Sequence, residues 1–116
     1  EVRFEKTMCD DAEYMLVAFG SSARICESTL EIAREKGIRM GLLRPITLFP
    51  FPEKAIQQTL PQLKGIMSVE LNAGQMVEDV RLAVNGTVPV EFYGRMGGSI
   101  FSPEEIFGAF SKKFNL

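Results

Sequence analysis

The chain has 116 residues, which is enough for one domain with its own core and too few for two. Hydrophobic residues make up 46% and charged residues 24%, and a net charge of −2 argues against a surface that binds nucleic acid. The chain contains no histidine, which excludes a Ser-His-Asp or Cys-His nucleophile and a histidine metal site. Two cysteines, Cys9 and Cys26, are too few for an iron–sulfur cluster, so we expect no self-contained catalyst.

The first predicted elements are two strands and a helix. In residues 2–6, Val2, Phe4 and Lys6 alternate with Arg3 and Glu5, which is typical of a short strand with a polar face at a sheet edge. Residues 14–19 form a continuous apolar run, which predicts a central strand covered on both faces. A helix with an apolar stripe follows and ends at Gly37, and we expect Ser21 and Ser22 to cap its start with their hydroxyl groups.

The rest of the chain continues the alternation of strand and helix. In chain order, the remaining predictions are a strand at 38–43, a helix at 53–63 interrupted near Pro61, a strand at 65–71, a helix at 74–84, a core strand at 88–93 and a helix at 103–114 capped by Ser102. This alternation predicts a mostly parallel sheet with right-handed crossovers, in which the first strand pairs as an antiparallel edge.

Two loops are candidates for a functional site. Open α/β sheets bind ligands beyond the carboxyl ends of their strands, where the strand order reverses. If 14–19 and 66–71 are the central strands, the loops that follow them meet at this point. The candidate residues there are Gly20, Ser21, Ser22, Asn72, Gly74 and Gln75.

Several segments resemble those of a known protein family. The segment at 41–52, GLLRPITLFPFP, resembles the strand and proline-rich turn of transketolase-type C-terminal domains. Together with VELNAGQMVEDV at 69–80 and FYGRMGG at 92–98, followed by SPEEI at 102–106, it resembles the C-terminal domain of the α subunit of 2-oxoacid:ferredoxin oxidoreductases. The third segment is most similar to the 2-oxoisovalerate (branched-chain ketoacid) type, and the 2-oxoglutarate enzymes are near relatives.

The resemblance implies a fold and a division of labour. The fold is a three-layer α/β/α domain whose five-stranded, mostly parallel sheet has the order 1-3-2-4-5 and one antiparallel edge strand. The family oxidatively decarboxylates a 2-oxoacid to its acyl-CoA with thiamine diphosphate and passes electrons through iron–sulfur clusters to ferredoxin. Thiamine diphosphate, magnesium and the clusters are expected in other domains or subunits, which would be the partners of a non-catalytic, structural domain that binds no cofactor itself.

The location of the chain is a further expectation. It begins with Glu1, shows no signal peptide and has no apolar run near the ~18 residues of a membrane helix. We therefore expect residues 1–116 to be a single domain, part of a longer cytoplasmic subunit that contacts no membrane.

Several candidate residues keep two interpretations. The loop at 20–22 is either a plain strand-to-helix turn or a contact for an anion or another domain. Glu70 either has a specific hydrogen-bonded role or caps the adjacent helix. Arg95, in a loop with Gly97 and Gly98, faces either a phosphate-bearing ligand such as coenzyme A or, as we favour, a neighbouring subunit. We assign no catalytic, cofactor-binding or metal-binding residue.

Two other functions are open alternatives to a structural domain of the 2-oxoisovalerate enzyme. The first is the corresponding domain of a 2-oxoglutarate:ferredoxin oxidoreductase. The second is a stand-alone module that binds a small anionic ligand at the carboxyl ends of the strands. A structural domain taken from its partners is expected to expose an apolar face.

Overall fold

The computed structural model describes residues 2–71, 74–95 and 101–116. Its strands are β1 (Phe4–Thr7), β2 (Tyr14–Ala18), β3 (Met40–Pro45), β4 (Gly65–Glu70) and β5 (Val90–Gly94). Its helices are α1 (Ser21–Glu35), α2 (Glu53–Thr59), which continues into a 3₁₀ turn at Leu60–Gln62, α3 (Gln75–Val84) and α4 (Pro103–Phe114).

The strands form one sheet in the order β1-β3-β2-β4-β5. β2 pairs in parallel with β3 on one side and β4 on the other, so that Leu16 lies between Leu42 and Met67. β5 extends the sheet in parallel beyond β4, and β1 is the antiparallel edge, with Glu5 opposite Arg44. The predicted fold class, strand order and antiparallel edge are confirmed.

The central strand β2 supplies core residues to both faces of the sheet. Met15 and Val17 point to the face covered by α2 and α3, whereas Leu16 and Ala18 point to the face covered by α1 and α4. Successive residues of a strand face opposite sides of the sheet, and helices cover both sides. All four side chains are therefore fully buried. This arrangement explains why residues 14–19 are apolar without alternation.

The end of α1 and the start of α4, the two long helices of the second face, follow from their sequences. Helix α1 ends in a Schellman motif, with Gly37 at φ +81° and the Ile38 N–H donating to the Ala33 carbonyl at 3.0 Å. Helix α4 starts with a capping box, in which Ser102 and Glu105 each accept a hydrogen bond from the other's backbone N–H. Both ends agree with the predictions.

Several predicted elements differ in their bounds from the structure, and the strands predicted at 2–6 and 38–43 lie at Phe4–Thr7 and Met40–Pro45. Helix 53–63 is an α-helix only to Thr59, because Pro61 has no N–H to donate and the chain tightens into a 3₁₀ turn. The strand predicted at 88–93 lies at Val90–Gly94 and is half-buried along its length. It was predicted as a core strand, but it pairs with β4 on one side and lies at the end of the sheet.

Candidate functional site at the carboxyl edge of the sheet

The two predicted loops lie where the strand order reverses. β2 and β4 are adjacent and parallel, so the loop after Ala18 and the loop after Glu70 leave the same edge of the sheet. The structure therefore brings Gly20 and Gln75 to one end of the fold. Three of the predicted site residues, Asn72, Gly97 and Gly98, lie outside the described residues.

The start of α1 corrects one prediction. Gly20 is the N-cap residue, at φ +62°, and Ser21 and Ser22 are already helical, so neither hydroxyl caps the helix. An N-cap side chain reaches the first amides only from a residue with non-helical backbone angles, and Gly20 occupies that position without a side chain. Sequence reasoning missed this because serine is the more common capping residue, whereas a positive φ favours glycine.

Ser21 borders an open cavity of about 630 Å³ on the α1 face. The cavity holds two cationic side chains, Arg24 and Arg44, and one acidic side chain, Glu27. Arg44 also forms an ion pair with Glu5 across β3 and β1 at 3.2 Å.

Glu70 caps helix α3 from the end of a strand. Its side chain is 1% exposed, and its two carboxylate oxygens accept hydrogen bonds from the backbone N–H groups of Met76 at 2.8 Å and Val77 at 3.0 Å. Ser68 donates a third hydrogen bond from its hydroxyl at 3.1 Å. Because the N-cap position is Gly74, Glu70 supplies the acceptor that an N-cap side chain normally provides.

The two interpretations of Glu70 are therefore the same structure. The carboxylate has a specific hydrogen-bonded role, and that role is to cap α3. The carboxylate accepts hydrogen bonds from the backbone N–H groups of the second and third helical residues. An anionic ligand at this helix end would otherwise bind these N–H groups. The negative charge of the carboxylate also balances the partial positive charge of the helix start.

The α3 loop packs closely against β5. Gly74 has φ +89°, and a β-carbon there would lie 3.1 Å from the ring of Phe92. A β-carbon at Gly94 would lie 2.9 Å from the Glu70 carbonyl oxygen. Both glycines allow the end of β4, the start of α3 and β5 to approach one another at distances that a side chain would prevent.

A smaller cavity of about 250 Å³ lies at the same edge on the opposite face of the sheet. Its lining is apolar apart from Glu70, Gln75 and Asp79. Since the Glu70 carboxylate is already engaged by α3, Gln75 and Asp79 are the polar groups that a molecule in this cavity would meet. One amide and one carboxylate do not form a pair of a general acid and a general base.

Arg95 is engaged within the chain. Its guanidinium forms an ion pair with Glu105 and lies 5.8 Å from the centre of the Phe101 ring. Hydrogen bonding to the backbone and side chain of Ser102, together with the charge of Arg95, lowers the pKa of Glu105. Arg95 thus links the end of β5 to the start of α4, and its role toward a ligand or a neighbouring subunit stays a prediction.

The cysteines and carboxylates do not fit a metal or cluster. Cys9 and Cys26 are both free and buried, and burial raises the pKa of the Cys26 thiol to about 12. Burial also raises the pKa of Cys9. Across residues 2–71, 74–95 and 101–116, no three His, Cys, Asp or Glu side chains lie close enough to bind a metal ion. These side chains do not fit an iron–sulfur cluster or a magnesium-bound diphosphate.

One interaction had no signal in the sequence. Arg34 at the end of α1 binds the Asp11 carboxylate through two hydrogen bonds of 2.8 and 2.9 Å, and it also donates to the Met8 and Met40 carbonyls. The pKa of Asp11 is lowered, chiefly by its hydrogen bonds with Arg34. No local pattern in the sequence connects Asp11 with a residue 23 positions later.

The comparison with family models decides the family. Residues 12–106 match the model described as pyruvate:ferredoxin oxidoreductase core domain II. The chain belongs to this domain II family. The family resemblance of the three segments is thereby confirmed. No helix in the described parts of the domain is long and apolar enough to cross a membrane.

The similar curated proteins are subunits of 2-oxoacid oxidoreductases. Over 106 residues the domain is 46% identical to the ketoisovalerate oxidoreductase subunit VorB of Methanothermobacter thermautotrophicus, covering 91% of this chain and 30% of that protein. It is 32% identical to the 2-oxoglutarate synthase subunit KorA of Methanothermobacter marburgensis, covering 90% of this chain and 28% of the relative. The domain thus spans less than a third of the length of the relatives that it matches.

Solved structures share the fold. A 2-oxoglutarate:ferredoxin oxidoreductase from Magnetococcus marinus superposes with a TM-score of 0.82 and 19% identity over 96% of this chain and 19% of that chain. A split-gene transketolase gives a TM-score of 0.83 and 13% identity over 98% of this chain and 42% of that one. At these identities the two structures establish the fold alone, which is the transketolase C-terminal type that the sequence predicted.

Proposed function

We propose that residues 1–116 are one domain of the α-type subunit of a 2-oxoacid:ferredoxin oxidoreductase of the 2-oxoisovalerate type. The observation that carries the proposal is the 46% identity over 91% of the chain to a ketoisovalerate oxidoreductase subunit. The identity falls to 32% for a 2-oxoglutarate synthase subunit and to 25% for a pyruvate synthase subunit. The substrate assignment follows this order.

Within the enzyme, the domain has a structural and assembly role. Its buried carboxylate, Glu70, is used to cap α3, and its cysteines are held as thiols, whereas thiolates are the nucleophiles and metal ligands. Thiamine diphosphate, magnesium and the iron–sulfur clusters are held by other domains or subunits. The loops with Gly20 and Gln75, and the segment that follows Arg95, contact those partners, and ferredoxin is reached through the assembled cytoplasmic complex.

The test is to express the complete subunit with its partner subunits and to measure reduction of an artificial acceptor. Reduction should require coenzyme A and proceed with a higher kcat/KM for 2-oxoisovalerate than for 2-oxoglutarate or pyruvate. The chain of residues 1–116 alone is the control, and it should give no 2-oxoacid-dependent reduction. Turnover by that chain would contradict the structural role, and a complex without activity on any 2-oxoacid would contradict the enzyme class.

The second candidate substrate is 2-oxoglutarate. It is favoured by the matches to 2-oxoglutarate synthase subunits at 32 and 34% identity. A complex that prefers 2-oxoglutarate over 2-oxoisovalerate in the same assay would keep the enzyme class and replace the substrate.

A further inference from the structure

The cavity of about 630 Å³ on the α1 face is bordered by polar and charged groups. Among the described residues, its lining consists of Gly20, Ser21, Arg24, Glu27 and Arg44. No aromatic or aliphatic side chain belongs to this set. Two guanidinium groups and one carboxylate therefore share an open space, and a cavity with an excess of one sign of charge attracts ions of the opposite sign.

Arg44 reaches this cavity from the end of β3. It follows Leu43, which pairs with Val17, so it lies beside the point where β2 leads into α1. Glu5 accepts a hydrogen bond only from the Nη1 of Arg44, at 3.2 Å. The Arg44 Nε is buried and, across the described residues, is the one buried side-chain nitrogen or oxygen without a hydrogen-bond partner. Folded proteins rarely leave a buried donor unpaired, because its lost hydration is then not replaced.

Arg24 is the second cation of the cavity and lies near the start of α1. Its side chain is exposed and forms no ion pair with any described residue, although Glu27 follows one turn later. A cation at this end of a helix is unfavourable, because the helix dipole already gives the end a partial positive charge. The first turn of α1 has no acidic residue that would offset the charge. An anion in the cavity would offset both.

We propose that this cavity binds the phosphate group of a small phosphate ester. Such a group carries a charge of about −2 and three terminal oxygens, so it suits two guanidinium groups better than a carboxylate does. The Nε and Nη2 of Arg44 form the edge of the guanidinium that Glu5 does not use, and an edge of this kind binds two oxygens of one phosphate. Arg24 supplies the second positive charge from α1.

The lining also restricts the rest of the ligand. A nucleotide base or an acyl chain would find no aromatic or aliphatic side chain to pack against. Glu27 and Ser21 instead accept hydrogen bonds from hydroxyl groups, which favours a polyol phosphate or sugar phosphate over a nucleotide or coenzyme A. Arg24 and Glu27 are exposed one and two turns beyond Gly20, so a partner subunit against the Gly20 loop leaves them accessible.

The test measures modification of each arginine by phenylglyoxal in the assembled complex, with mass spectrometry as the readout. Glycerol 3-phosphate and inorganic phosphate are the probes, and potassium acetate at equal ionic strength is the control. Glycerol 3-phosphate should slow the reaction of Arg24 at least about fivefold, because the occupied site excludes the reagent. Arg39, which precedes β3 and is 55% exposed, is the internal reference and should change less than about twofold at constant ionic strength.

Several results would overturn the proposal. Arg24 that reacts equally fast with and without both probes would show that no phosphate binds. Equal slowing of Arg24 and Arg39 would show general screening, and equal protection by acetate would show a site for any anion. Protection by inorganic phosphate at a lower concentration than glycerol 3-phosphate would assign the site to free phosphate. Arg24 that is unreactive before any addition would assign the cavity to a partner subunit.

Three variants give a second readout, the concentration of glycerol 3-phosphate that protects Arg24 by half. Arg44→Gln should raise it about tenfold, because a charge-assisted contact to the phosphate is lost. Arg39→Gln removes the same charge outside the cavity and should leave it unchanged. Equal values for these two variants would contradict the site.

Glu5→Gln keeps the proposal testable where Arg44→Gln fails to fold. It removes the competing partner of Arg44, so it should lower the half-protecting concentration, and a raised value would contradict the site. The protection assay requires no turnover, and 2-oxoacid activity is measured on the same preparation. Inactivity together with protected Arg24 would contradict the proposed function alone, and activity together with unprotected Arg24 would contradict the phosphate site alone.

Discussion

The Glu70 carboxylate accepts a hydrogen bond from the Met76 N–H at 2.8 Å, so the last residue of β4 fixes the first turn of α3. The bond joins a strand of the sheet to the next helix in the chain. The carboxylate and its amide partners are buried together. Breaking the hydrogen bond would therefore leave buried polar groups without water or another partner, which is energetically costly.

Replacing Glu70 should destabilise the domain strongly. We expect Glu70→Ala to lower the free energy of unfolding by about 3 kcal/mol, because two buried amides lose a charged acceptor. Glu70→Gln, which keeps one acceptor oxygen, should lose less. Glu78→Gln on the same helix is the control, because the Glu78 side chain is 72% exposed. Urea unfolding measures all three, and equal stability of the Glu70→Ala and Glu78→Gln variants would contradict the capping role.

The capping box of α4 should make a smaller contribution. Ser102→Ala should lower the free energy of unfolding by about 1 kcal/mol, as loss of an N-cap does elsewhere. Glu105→Ala should also destabilise, because it removes both the reciprocal bond and the partner of Arg95. A double-mutant cycle should show coupling between Ser102 and Glu105, and Glu104→Ala, next to Glu105 and outside the box, is the control. Additive effects of the two changes would argue against the box.

Two glycines should respond in opposite directions to alanine. A β-carbon at Gly41 would lie 2.9 Å from the Met8 carbonyl oxygen, so Gly41→Ala must displace backbone and should cost about 2 kcal/mol. Gly108 is exposed in the middle of α4 with open space around it, and Gly108→Ala should stabilise by about 0.5–1 kcal/mol. Thermal unfolding of both variants is the measurement. A stabilising Gly41→Ala would mean that Met8 and Cys9, which follow β1, do not approach β3 as closely as described.

The pairing of Asp11 with Arg34 should appear as a pH dependence. The pKa of Asp11 is lowered below 3.8, so the folded state favours the carboxylate. Its contribution is fully present well above pH 3.8 and is lost as the pH falls through the lower pKa of the folded state. The difference in Tm between the wild type and Asp11→Asn should therefore be largest near neutral pH and vanish in acid. A difference that grows toward acid pH would have the wrong sign.

The cysteines should resist modification while the domain is folded. Burial raises the pKa of Cys26 to about 12, so at pH 8 almost none of it is thiolate, the form that reacts. Mass spectrometry after iodoacetamide treatment should find both thiols unmodified in buffer and modified in urea. Alkylation of Cys26 in the native domain at the rate of a free peptide would contradict its burial.

Most of the fold could be predicted because the strongest signals are local. The unbroken apolar run at 14–19 required a strand covered on both faces, and Ser102 followed by Glu105 marked the start of α4. The strand order came from the family resemblance of the motif segments, since periodicity does not specify which strands are neighbours. Phe49 was quoted only as part of a motif, and its 92% exposure had no signal in the sequence, because exposure depends on what the rest of the chain leaves uncovered.

The sequence predicted where the candidate site lies better than it predicted which residues form its hydrogen bonds. Gly20 and Gln75 do lie at the same edge, since parallel strands bring their carboxyl ends together. The cap of α3 was more difficult to assign, because the acceptor comes from Glu70, outside the helix and its flanking loop. The cap assigned to Ser21 and Ser22 was wrong because Gly20, at positive φ, is the N-cap residue and both serines already lie within the helix.

The position of β2 also governs the order in which the domain can fold. Tyr14 pairs with Gly65, so the central strand receives its second neighbour only from a strand that lies 51 residues further along the chain. Until then, a growing polypeptide presents an apolar strand with one open edge, which is the kind of intermediate that aggregates. The sheet can close from the centre only when β4 arrives, and because long-range contacts slow folding, we expect this pairing to be the slow step.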